Sequence, residues 1–179
     1  MKKKRFALVL SLVMAVSMGM TACGDSDDDD DDEDEDKIPK YEQPIEDYFD
    51  AIESASAKKL KKCIPNARLE YMEKNTDDID NYFEDLAQDI KEEMEDKFGK
   101  NYRIDYTVKE KEKLSDEKIE EIDRRFEEWY RAEVNVTDGY KIKIEVGIKG
   151  DDDGEKEDMT ITVAKFDGVW YVTDGMNVI

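Results

Sequence analysis

The sequence has no histidine at all, and only two cysteines among its 179 residues. Without histidine, Ser-His-Asp and Cys-His nucleophilic sets cannot be assembled, and the commonest zinc ligand is missing. Two thiols, Cys23 and Cys63, are too few for a secreted scaffold held by disulfides, which takes four or more in a short chain. A single Cys23–Cys63 bridge stays open on count alone. No glycine-rich phosphate cradle occurs. Positive charge is also in deficit, because 49 acids face 28 lysines and arginines, a formal charge of -21. A surface of that sign repels nucleic acid and anionic headgroups, so DNA or RNA binding is disfavoured. A long apolar span is the last thing lacking. The greasiest stretch, Phe6 to Met20, is about 15 residues, short of the roughly 20 that cross a bilayer as a stable helix.

That stretch is instead built like a secretion signal. Lys2, Lys3, Lys4 and Arg5 form a basic head, and the apolar run is interrupted only by Ser11, Ser17 and Gly19. The small residues Thr21 and Ala22 follow, as a signal peptidase pocket requires. Met20-Thr21-Ala22-Cys23 then resembles the bacterial lipobox, with Met20 standing where that family usually has leucine. The resemblance implies that Cys23 is diacylated and that the chain is cut just before it, leaving a lipoprotein on the outer face of the cytoplasmic membrane. Two acyl chains matter physically, because each buried CH2 contributes about 0.8 kcal/mol and one chain alone anchors only marginally. An uncleaved membrane anchor is the plainer alternative.

Eleven of the twelve residues from Asp25 to Asp36 are acids, and the first apolar side chain after the tract is Ile38. Such a segment buries too little to offset its ordering entropy, and its like charges extend it. Fully stretched, Gly24 to Lys40 reaches on the order of 60 Å at roughly 3.3–3.6 Å per residue. A solvated stalk is expected. Loose binding of calcium or magnesium would need a folded loop to fix the oxygens, and none is encoded. No metal or other cofactor is expected elsewhere. The Asp151-Asp152-Asp153-Gly154-Glu155 stretch fails the calcium-loop pattern, which would put Lys149 first and Thr160 twelfth. The chain therefore divides into a signal peptide (1–22), a lipidated cysteine with an acidic linker (23–40), and a folded part (41–179). From Lys37 onward 38 acids still face 24 bases.

The folded part mixes two periodicities. Ile45, Tyr48, Phe49 and Ile52 recur at helical spacing after Pro44, a favoured first helical position. Ser56 is placed to cap a short helix carrying Leu60, Cys63 and Ile64, ended by Pro65. Thr76 is the expected cap of a longer helix whose stripe is Ile79, Phe83, Leu86, Ile90, Met94 and Phe98, closed by Gly99. Tyr102, Ile104, Tyr106 and Val108 alternate as a strand. Ser115 opens a helix with Ile119, Ile122, Phe126 and Trp129 on one face. A short Val134–Val136 piece should end at Thr137-Asp138-Gly139. Tyr140 to Ile148 alternates, a polar hairpin loop spans 149–158, and Met159 to Val163 alternates again. Asp167-Gly168 is a hairpin turn before Val169 to Val172.

Helices followed by antiparallel strands make an α+β domain, with the N-terminal helices packed on a curved antiparallel sheet. This order, with the ending KFDGVWYV, resembles the nuclear-transport-factor-2-like (cystatin-like) superfamily, and more narrowly lipoproteins of that type from Gram-positive bacteria. The resemblance implies a cone-shaped architecture around a long helix, whose cavity serves isomerisation or dehydration in some relatives, small-ligand binding in others and protein binding in the rest. Tyr48, Phe83, Tyr106, Trp129, Tyr140 and Trp170 are the candidate lining residues, and plain core is the competing role for them. In such isomerases a carboxylate base works beside a tyrosine hydroxyl in an apolar site. Tyr48, Tyr106, Tyr140 and Tyr171 can point inward, but the acids fall on outward faces or in loops; Asp105 faces away from Tyr106. No catalytic residue is assigned. The expectation is a non-catalytic binding module for a protein or small ligand, held at the membrane by its lipid, with a small cavity enzyme as the alternative and a structural envelope role as a third. Asn135-Val136-Thr137 is a glycosylation sequon only in a eukaryotic secretory route, which the lipobox argues against.

Overall fold

The computed structural model describes residues 39–173. Cys23, the signal-like segment and the acidic tract lie outside them, as does the stretch 174–179.

Pro44 sits in the first turn of α1 (Gln43–Glu53), where its missing N–H costs nothing. The helix buries Ile45, Phe49, Ala51 and Ile52 along one stripe. Ser56 caps α2 (Ala57–Lys62), its side chain accepting from the Lys59 N–H at 3.4 Å. A helix not foreseen from the pattern follows directly, α3 (Asn66–Asn75), with Pro65 at its cap position. Only Arg68 and Met72 of it are fully buried, so it carries little amphipathic signal. Thr76 belongs to the end of α3, donating its N–H to Met72 O at 2.8 Å, and is not the cap of the next helix. Asp78 takes that role, accepting from Asn81 N–H at 3.0 Å and opening α4 (Ile79–Phe98). A carboxylate there also faces the positive end of the helix dipole. Gly99, at φ 86°, stops α4 in a conformation that side chains rarely adopt.

The sheet is a four-stranded antiparallel meander in the order β1-β2-β3-β4, from β1 (Arg103–Lys113), β2 (Val136–Lys149), β3 (Gly154–Phe166) and β4 (Val169–Val172). Helix α5 (Asp116–Tyr130) connects β1 to β2. Two stretches read as turn or loop in the sequence are mostly strand. Val136 and Tyr140 lie on a single strand, because the Thr137-Asp138-Gly139 turn signal is absorbed as a bulge between Val136 and Asp138. A Cβ on Gly139 would crowd Leu114 Cδ1 at 2.6 Å and the Val163 carbonyl oxygen at 3.1 Å, so the leucine side chain would have to shift. The polar 149–158 stretch is mostly strand as well, with only 150–153 turning. Two of its charges pair across the surface, Glu155 with Lys97 at 2.6 Å and Lys156 with Glu145 at 2.8 Å. Asp167 (φ 51°) and Gly168 (φ 88°) form the expected tight turn into β4.

Strand alternation splits the core in two. Ile142, Ile144, Ile161 and Val163 face the N-terminal helices, packing with Ile45, Phe49, Phe83, Ile90, Met94 and Phe98. Ala164 and Phe166, on the opposite parity, pack with Ile122, Phe126 and Val136 under α5. The fold is therefore α+β, as composition and order require, with helices on one face of the sheet and α5 on part of the other.

Candidate functional site

A cone would put its cavity between α4 and the sheet. That space is occupied by side chains: Phe83, Met94, Phe98, Ile142, Ile144 and Ile161 are all at most 1% exposed. Phe83, one of the expected lining residues, is thus plain core. Each such side chain contributes roughly 1.5–3 kcal/mol by leaving water. An open groove of about 470 Å³ lies elsewhere, between the Ser54–Ala57 turn and the outer side of α4, floored by Ala87 and edged by Glu84, Lys91 and Glu95.

Tyr48 and Tyr106 flank one ring, Phe49, with centroids 5.7 and 5.6 Å away. Burial pushes the Tyr48 hydroxyl up to about 12, helped by Cys63. Burial does the same to Tyr106, to about 12, with Glu42 and Glu46 adding to it. Both phenols stay protonated and neutral in any physiological range. Cys63 is a free thiol whose Sγ lies 3.3 Å from Lys59 O. Its titration is pushed up to about 12 by burial and then by Asp47 and Asp50, which makes it unreactive, a small hydrophobe of the core margin.

Tyr140 and Trp170 come together with a residue that pattern reasoning passed over, Tyr41. Its ring is 4.6 Å from Tyr140 and 6.3 Å from Trp170, and Tyr140 and Trp170 are 5.8 Å apart. Lys111 lies over Tyr41, with Nζ 5.0 Å from the ring centre, and Lys165 lies over Trp170 at 6.0 Å. The β1 bulge after Val108 is what turns Lys111 to this face. Glu42 stands beside the group. Its carboxyl titrates above the usual range because of burial, an effect opposed by a Tyr41 hydrogen bond and by Lys111. This is a pairing of carboxylate and tyrosine that the sequence reading did not single out. The rings, however, pack against one another.

Trp129 is separate from all of these. It lies on α5, is 47% exposed, and meets Tyr130 edge-on at 6.4 Å. Arg125 covers its ring at 5.7 Å. Tyr130 in turn touches Tyr71 of α3 at 5.6 Å and lies over the Arg68 guanidinium at 5.8 Å. Of the expected lining residues, the structure therefore unites Tyr140 with Trp170, puts Tyr48 and Tyr106 around Phe49, buries Phe83, and places Trp129 in a different layer. Cys23 is outside the described residues. No group of three or more acids or cysteines among the described residues could hold a metal ion, and no helix among them is long and apolar enough to cross a membrane. No protein-family model, curated protein or solved structure matches the chain.

Proposed function

We propose that the protein is a lipid-anchored extracytoplasmic lipoprotein, tethered through Cys23, whose α+β domain binds another protein and catalyses nothing. The tether follows from the basic head, the short apolar run and the Met20-Thr21-Ala22-Cys23 box in the sequence. The observation that carries the binding role is the filled interior. With Phe83, Met94, Phe98 and Ile144 occupying the space under α4, binding falls to the outer surface, where proteins meet proteins. The acidic tract acts as the spacer that keeps this surface clear of an anionic membrane. On this reading the domain is a nuclear-transport-factor-2-like or cystatin-like fold whose cone is filled, a reading supported by its helices-then-antiparallel-meander order.

One observation favours the alternative, a cavity enzyme of isomerase or dehydratase type: Glu42, raised by burial, stands beside Tyr41 and Tyr106. Contact between the Tyr41 and Tyr140 rings weighs against it, because an isomerase needs a vacancy at that place. Growth with labelled fatty acid tests the tether. Label should enter the wild-type chain and vanish in Cys23→Ser, with the variant leaving the membrane fraction. Label that persists in Cys23→Ser would remove the anchor, the stalk and the outward-facing role together.

A further inference from the structure

Arg68 is 2% exposed, and its Nη1 is buried with no hydrogen-bond partner among the described residues. No carboxylate among them pairs with it, on a chain that has 49 to offer. Loss of water pulls its titration below the ordinary arginine value, and the nearby Tyr82 and Tyr130 oppose that only partly. Buried cations in folded proteins are paired, and an orphaned one calls for a missing anion. The surroundings are equally unusual for a surface. Tyr71 (36% exposed) and Trp129 (47% exposed) are large apolar side chains left open, and both contact Tyr130, the ring above Arg68. Arg68 and Tyr71 are i,i+3 neighbours on α3, so one side chain lies beside the other on the same helical face. Tryptophan, tyrosine and arginine clustered in one place is the composition of an interface hot spot.

We propose that the Tyr71–Tyr130–Trp129 face is the docking surface for the protein partner, and that the partner inserts a single carboxylate to pair with the Arg68 guanidinium. The guanidinium lies under the Tyr130 ring at the edge of this face, and its planar fork suits two parallel hydrogen bonds to one carboxylate. The partner's carboxylate stands alone on an otherwise neutral or basic surface, because the domain's own excess of acids repels an acidic one. This rests on the protein-binding role proposed above and specifies its site.

The test uses the full chain, labelled with ¹⁵N, and two probes, acetyl-Leu-Glu-Leu-amide and its Gln counterpart. The Glu peptide should shift the Trp129 indole and Arg68 Nε–H signals saturably, and the Gln peptide should bind at least about tenfold more weakly. Arg68→Met should abolish the difference between the peptides while keeping or raising the melting temperature, since it replaces an uncompensated buried charge by an apolar side chain. Equal response to both peptides, no saturable shift, or a large loss of melting temperature in Arg68→Met would overturn the proposal. So would an Arg68 signal that moves when the acids of the 25–36 tract are changed to amides, because the chain would then supply its own anion. Failure here with fatty acid still attached at Cys23 would remove the docking face alone and leave the tether.

Discussion

The Lys111 ammonium donates to the Tyr41 hydroxyl at 2.8 Å, joining two residues 70 apart in sequence. It ties the start of the domain, where the acidic tract arrives, to the far end of β1. The bond raises the Lys111 titration above the ordinary lysine value. A raised basic group stabilises the fold fully below its unfolded value, and that contribution is lost as pH climbs through the raised value. Lys111→Met is therefore expected to cost about 0.5–1 kcal/mol in urea unfolding at pH 7, the range of an exposed contact. The gap between variant and wild type should close in strongly alkaline buffer, and a gap that persists there would mean the lysine acts by packing alone.

Glu42 is raised for a different reason, because burial disfavours its charged form, and it titrates in a lower pH window. Its carboxyl is raised by burial, so the folded state holds the proton more firmly than the unfolded state does. Stability from this group is present below the ordinary glutamate value and is lost as pH rises through that value to the raised one. Glu42→Gln should flatten this part of the pH–stability curve and leave the protein slightly more stable at pH 7. A less stable variant at neutral pH would show that the charged carboxylate is needed, which is what an enzymatic base would require.

Phe83 is expected to behave as core and not as pocket lining. It is 1% exposed beneath α4, so Phe83→Ala should cost about 3–5 kcal/mol, a large part of the stability of an ordinary domain. Gly150→Ala should also destabilise, by about 1–3 kcal/mol, because a Cβ there would lie 1.9 Å from the Phe98 carbonyl oxygen. Denaturant midpoints decide both; a neutral Phe83→Ala would mean that the interior is loose enough to admit a ligand.

Cys63 gives a chemical readout. With its thiol pushed up to about 12, it should resist alkylation by iodoacetamide at pH 8 in the native protein and react at the ordinary rate in urea. Rapid native labelling would place it in an exposed, activated setting that the fold does not provide.

What the sequence made legible was whatever repeats. The stripes of α1 and α4, the alternation of β2 and β3, and the Asp167-Gly168 turn are local patterns that tertiary packing reinforced. The missed elements have weak or contradictory local signals. Helix α3 buries an arginine and a methionine, so its apolar stripe is nearly absent. The cap of α4 moved from Thr76 to Asp78 because two capable side chains lie two residues apart and packing chose between them. Arg68, Tyr41 and Lys111 draw their roles from partners far away in sequence, Arg68 of α3 from Tyr130 of α5 and Tyr41, just before α1, from Lys111 of β1, which no window along the chain can display. Trp129 was visible as a helical aromatic, but its spacing could not say that its ring faces outward.

Intact-mass measurement of the protein extracted from membranes tests the central claim most directly. A chain beginning at Cys23, with the added mass of a diacylglyceryl group on that residue and Cys63 as the sole alkylatable thiol in urea, is the predicted result. A chain beginning at Met1, or one with a free thiol at position 23, would contradict it.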